Sequence, residues 1–234
     1  MICQYKQLKK LKITKVRMQN ALTLSILSEK AITVFLNKEI GLASHYEVIS
    51  IRKSLEAQNW PWLIEIVPSY NSVSIFVDSC FYNSHNSLIA FFEDWFSKIS
   101  FFENSPSLDH NLFKEIPVKY EGGDLLYVSN YCQIPVNELI QLHSSSTYTV
   151  AMIGFLPGFP YLLGMDARLF VPRKSSPRLK VTKGSVGIGG FQTGIYPSDS
   201  PGGWQIIGTT PHELFDLEQL SYLSIGDKVK FKPI

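Results

Sequence analysis

Between Ala151 and Pro211 the chain gathers 11 of its 15 glycines and 7 of its 13 prolines, in about a quarter of its 234 residues, without becoming low-complexity. Glycine reaches positive φ and permits close backbone approach, while proline fixes φ and removes a donor, so the two together specify particular turns. A flexible linker would not also carry Phe155, Phe159, Tyr161, Phe170, Phe191, Tyr196 and Trp204. Two readings of the stretch stand side by side. It is either a β-rich core with demanding corners, or a ligand or partner cleft built on those corners.

The rest of the chain reads as ordinary elements around this stretch. Leu22, Leu24 and Ile26 alternate with polar residues, as do Ile32 and Val34, which predicts a hairpin across Ser28-Glu29-Lys30. The spacing of Val48, Ile51 and Leu55 predicts a helix over 41–58, and Leu88, Phe91, Phe92, Trp95, Phe96 and Ile99 mark the apolar face of another over 87–101. An aromatic stripe at that spacing is core rather than a cofactor box. Strands are predicted over 62–68 and 72–77, so residues 18–102 form a small ββαββα domain of α+β type. The polar run 103–112 reads as a linker, and residues 1–17 as a solvated basic tail or a misassigned start. From 113 onward come a strand over 114–120, two helices near 125–130 and after Pro135, and then many short strands, the pattern of a barrel or sandwich.

Charge and composition narrow the function classes. The net charge of +2 includes six basic residues and no acid within residues 1–17, so the remaining body is net −4. A mildly acidic body lacks the basic face that nucleic-acid binding requires. Three distant cysteines, Cys3, Cys80 and Cys132, fit a reducing cytoplasm rather than a disulfide framework. No stretch is apolar for long enough to span a membrane.

Self-contained catalytic motifs are missing: there is no GxxxxGK[ST] phosphate loop, no GxSxG elbow and no zincin spacing after His212-Glu213. The five histidines and the cysteines show no metal-ligand spacing, so no metal is expected. Polar candidates nonetheless cluster in the opening stretch. Arg173 and Arg178 lie in two Pro-Arg dipeptides and could converge on a carboxylate or phosphate, or form a solvated basic loop. Gln192, Thr193 and Tyr196 could address a bound amide, or bond barrel backbone. His143 ends a helix before a strand and is either a base or a C-terminal cap. Phe155, Pro157, Gly158, Phe159 and Pro160 would shape one rim of the cleft, and Pro201, Gly202, Gly203 and Trp204 the other.

The ordered series Gly154-Phe155-Leu156-Pro157-Gly158-Phe159-Pro160-Tyr161, Pro172-Arg173, Pro177-Arg178, Gly184-Ser185-Val186, Gln192-Thr193-Gly194-Ile195-Tyr196-Pro197, Ser200-Pro201-Gly202-Gly203-Trp204 and Ile207-Gly208 resembles the family of 5-oxoprolinase B subunits, also called allophanate hydrolase subunit 1. That family includes KipI, an inhibitor of a sporulation histidine kinase. The resemblance covers nearly everything after Met18. It implies an α+β N-terminal domain followed by a cyclophilin-like all-β barrel over 113–234. It also implies a cytoplasmic role beside a C-type subunit, of the allophanate hydrolase subunit 2 kind, and an A-type subunit of the lactam-utilisation kind, the complex cleaving 5-oxoproline with ATP. The alternative it implies is a regulatory module that binds a histidine kinase. The chain departs from the family pattern at Ser28-Glu29, in the short 121–124 loop, at Lys183, and at Thr209, where a possible anion-binding arginine is replaced.

Overall fold

A computed structural model describes residues 15–17, 22–78, 84–98, 113–218 and 220–234. The chain divides into two compact units, Met1–Pro106 and Ser107–Ile234. The expected linker 103–112 lies outside the described residues.

In the first unit, strands β1 (Lys15–Arg17), β2 (Leu22–Ser28), β3 (Ala31–Leu36), β4 (Leu63–Pro68) and β5 (Ser72–Val77) form one antiparallel sheet in the order β1-β2-β3-β5-β4. The apolar residues that alternate in the sequence are buried, and Ser25 and Thr33 between them are buried as well. Leu22, Leu24, Ile26, Ile32 and Val34 are buried, and residues 29–30 make the turn. Helix α1 (Leu42–Glu56) buries Val48, Ile51 and Leu55 in the same core, and helix α2 (His85–Lys98) buries Leu88, Phe92 and Phe96 there. Trp60 and Trp62 stack at 4.8 Å, and Phe91 meets each ring edge-on, so the aromatic stripe packs into this core. Residues 1–14 of the expected basic tail lie outside the described residues, and Lys15–Arg17 at its end pair with Ser25, Leu24 and Thr23. Main-chain pairing on an open sheet edge is indifferent to side-chain charge, and the edge of β2 offers a row of free N–H and C=O groups.

The second unit contains β6 (Phe113–Val118), α3 (Leu125–Cys132), α4 (Val136–Ser145), β7 (Tyr148–Ile153), β8 (Pro160–Leu163), β9 (Arg178–Val181), β10 (Ser185–Gly189), β11 (Gln192–Ile195), β12 (Ser200–Gly202), β13 (Gln205–Thr209), β14 (Phe215–Asp216), β15 (Leu220–Ser221) and β16 (Lys228–Pro233). Seven strands form a sheet in the order β13-β10-β11-β8-β7-β16-β6, with β6 and β16 parallel. Its two edges meet at Lys119 and Thr209, each donating its N–H to the other's carbonyl at 2.9 Å, so the sheet is nearly closed into a barrel. The seam requires Gly208, whose position would bring a Cβ within 2.6 Å of the Lys119 carbonyl. The barrel unit is not purely β. Helices α3 and α4 deliver Val128 and Leu139 into the core shared by Val150, Leu162, Ile188 and Ile207. Two short ribbons, β9 with β12 and β14 with β15, lie outside the main sheet.

Candidate active-site cleft

The glycine- and proline-rich stretch builds a cleft of about 330 Å³. Phe159, at the foot of β8, is its hub: the rings of Tyr161, Tyr196, Trp204 and Phe155 lie 4.9, 5.1, 5.4 and 5.6 Å from it, three of them edge-to-face and Tyr161 tilted. Edge-to-face packing suits the ring quadrupoles and holds each wall in a set orientation. Tyr161 follows Phe159 by two residues, the spacing that puts two side chains on one face of a strand. That signal was available in the sequence and singles out Tyr161 as a wall. The rim loop turns at Gly158, which has φ +78° and leaves no room for a Cβ beside Phe215. Phe155 also sits in the left-handed region, at φ +69°, a conformation costing a bulky residue about 1–3 kcal/mol. Phe155 is 61% exposed and lines the cleft. Pro201, Gly202 and Gly203 line the opposite rim, whereas Pro157, Gly158 and Pro160 frame the loop without lining the cleft.

The charges around the cleft differ from the sequence expectation. Arg173 faces the cleft, its guanidinium 5.6 Å from the Trp204 ring centroid, and it makes no ion pair among the described residues. Arg178 does not converge with it. Its Nη2 donates to both carboxylate oxygens of Asp124 at 2.6 Å, and its Nη1 donates to the Trp204 carbonyl at 3.2 Å. Asp124, at the start of α3, also accepts from the Ile206 N–H at 2.7 Å and from Lys174 Nζ at 3.1 Å. Burial pushes its carboxyl up, but the hydrogen bonds from Arg178, Ile206 and Lys174 outweigh burial and hold it below the usual carboxylate range. The second cation lining the cleft is therefore Lys174, with Pro177 beside it. Sequence reasoning passed over Lys174 because its partner lies 50 residues away.

The structure places His143, Thr193 and Gln192 away from the cleft. His143 is completely buried in the barrel, stacked 4.5 Å from Phe231. Thr193 donates its hydroxyl to the Gly187 carbonyl at 3.0 Å, so its oxygen accepts from His143 Nε2 at 2.9 Å. That assigns the proton to Nε2 and leaves Nδ1 to accept from the Tyr120 hydroxyl at 2.8 Å. Burial lowers the His143 pKa to about 3, so the ring stays neutral and serves as a core hydrogen-bonding post. Neither a solvent-facing base nor a cap describes it, since its ring reaches side chains of the barrel rather than the end of α4. Gln192 opens β11 opposite Gly189 and does not line the cleft. Burial raises the Tyr161 and Tyr196 hydroxyl pKa values, so both cleft-lining tyrosines stay neutral. Among the described residues, no group of three or more His, Cys, Asp or Glu is placed to hold a metal, and no helix is long and apolar enough to cross a membrane.

Comparison with known proteins agrees with this architecture. The family described as carboxyltransferase domain, subdomain C and D, matches residues 22–223. Three curated proteins, each named as the B subunit of 5-oxoprolinase, are 36 to 38% identical. That of Haemophilus influenzae is 38% identical over 212 residues, covering 88% of this chain and 94% of its own length. This chain belongs to the family of 5-oxoprolinase B subunits. Among solved structures, TTHA0988 superimposes with a TM-score of 0.72 at 28% identity over 88% of this chain. The Kluyveromyces lactis urea carboxylase does so with a TM-score of 0.76 over 94% of it, at 20% identity, a likeness of fold alone. Both solved chains are longer, and the family member described here spans 40% of the first and 23% of the second.

Proposed function

We propose that this chain is the B subunit of a cytoplasmic 5-oxoprolinase that cleaves 5-oxoproline to L-glutamate with ATP, together with subunits of A and C type. The observation that carries the reading beyond family membership is Arg173, a cation without an ion-pair partner among the described residues, held over an aromatic-walled cleft. A five-membered lactam presents flat faces to such walls, and its carboxylate suits a guanidinium. A lactam is also a stable amide. Phosphoryl transfer to its oxygen would make the ring carbon electrophilic, and fixed cations would stabilise the charge that develops.

Among the described residues, the glycine run 184–190 does not fit a nucleotide cradle. The glycine run that might hold phosphate lies in β10, laddered to β11 and β13, and the flanking N–H groups of Gly184 and Gly190 donate to the Tyr196 and Val171 carbonyls. In this reading ATP belongs to the other subunits. No observation favours the alternative of a histidine-kinase inhibitor. The test is ATP-dependent glutamate release by the reconstituted subunits with and without this chain. Release should require the chain and should fall about tenfold in kcat/KM for Arg173→Gln, the effect of losing one charge-assisted hydrogen bond. Equal release in its absence would remove the proposal.

A further inference from the structure

Arg173 lines the cleft beside Lys174, and two cations, Lys174 and Arg178, pair with a single buried carboxylate, that of Asp124. Arg178 alone comes close to satisfying it: one nitrogen reaches both oxygens at 2.6 Å, and the Ile206 N–H supplies a further donor at 2.7 Å. Lys174 is the surplus partner. Its ammonium sits at 3.1 Å from Asp124 and at 3.5 Å from Gln205 Oε1, the outer limit of a hydrogen bond. Its backbone is anchored, the N–H donating to the Gly203 carbonyl at 2.7 Å, while its side chain is 31% exposed and lines the cleft. A lysine carries a point charge on a flexible four-carbon stem, so its ammonium can change partners without any movement of its backbone.

We propose that Lys174 is the movable second anion-binding group of the cleft, exchanging its contact with Asp124 for the anionic oxygens of a ligand. Arg173 approaches the same group from the Trp204 side, and Arg178 keeps Asp124 neutralised after Lys174 leaves. The ligand class is a small compound bearing a carboxylate or phosphoryl group. The inference rests on the cleft being a ligand site, as proposed above, and adds which cations serve it.

The test titrates the full chain separately with 5-oxoproline, inorganic phosphate and neutral 2-pyrrolidinone. The readout is the Trp204 indole N–H resonance, assigned by its loss in Trp204→Phe. At least one anion should bind more tightly than 2-pyrrolidinone, and Lys174→Gln should weaken that anion about tenfold. Asp124→Asn should tighten it several-fold by freeing Lys174, even while it lowers Tm. A merely structural Asp124 predicts weakening instead. Binding of 5-oxoproline without phosphate assigns a carboxylate site, and the reverse a phosphoryl site. If the wild type binds none of the three, the cleft reading fails and this inference with it. If it binds but Lys174→Gln binds equally well, or if 2-pyrrolidinone matches the anions, the inference alone fails. Should Asp124→Asn not fold, Lys174→Gln decides the matter by itself.

Discussion

At His143 the protein holds a neutral imidazole between Tyr120 and Thr193 in a space closed to solvent. Its folded pKa of about 3 lies below the ordinary 6.5, so the unfolded chain takes up a proton that the fold refuses. The stability this neutral ring contributes is fully present above about pH 6.5 and is lost as pH falls from there toward 3, with a slope of up to about 1.4 kcal/mol per pH unit. Asp124 adds a second acid-side loss in a lower window. Its folded pKa lies below the ordinary 3.8, so its contribution is present above that value and disappears as pH drops through the folded one. Urea denaturation between pH 7 and 4.5 should therefore show falling stability in the wild type and a flatter profile in His143→Gln, although the variant is less stable at pH 7. Parallel profiles for the two proteins would show that His143 is not the group responsible.

The decisive elements are loops and seams rather than long strands. The rim loop from Phe155 to Phe159 carries two ring walls and turns at a glycine in the left-handed region, whose Cβ would lie 2.7 Å from the Phe215 Cβ. Gly158→Ala should cost about 1–3 kcal/mol through strain at positive φ together with that clash. It should also disturb the Phe159 ring cluster, so the checks are Tm and the near-UV circular dichroism of the cleft aromatics. An unchanged aromatic spectrum with lowered Tm would mean that the loop yields without moving the cleft. The well-patterned elements were legible in the sequence because their apolar residues recur at a regular period, alternating in β2 and β3 and three to four apart in α1, α2 and α4. Strands β1, β9, β12, β14 and β15 span only two to four residues, too few for a period to register.

Each unit possesses its own apolar core, one gathering Leu24, Ile75 and Phe92 and the other Val150, Leu162 and Ile188, with the cleft rings forming a third cluster inside the barrel unit. A fragment comprising residues 107–234 should therefore fold alone with a cooperative thermal transition and retain the cleft's ring packing. A molten fragment without near-UV dichroism would show that the barrel core is insufficient. By itself the sequence determined the order of the well-patterned elements, the corners at glycine and proline, and the motif series that marks the family, because all of these are written in neighbouring residues. Only the tertiary structure decided that Lys174 rather than Arg178 lines the cleft beside Arg173, that His143 belongs to the core, and that Lys119 meets Thr209 to close the barrel. The reason is reach. Asp124 and Arg178 are 54 residues apart and His143 and Thr193 are 50, and local periodicity reports which face a side chain occupies but not which distant group waits there to claim it.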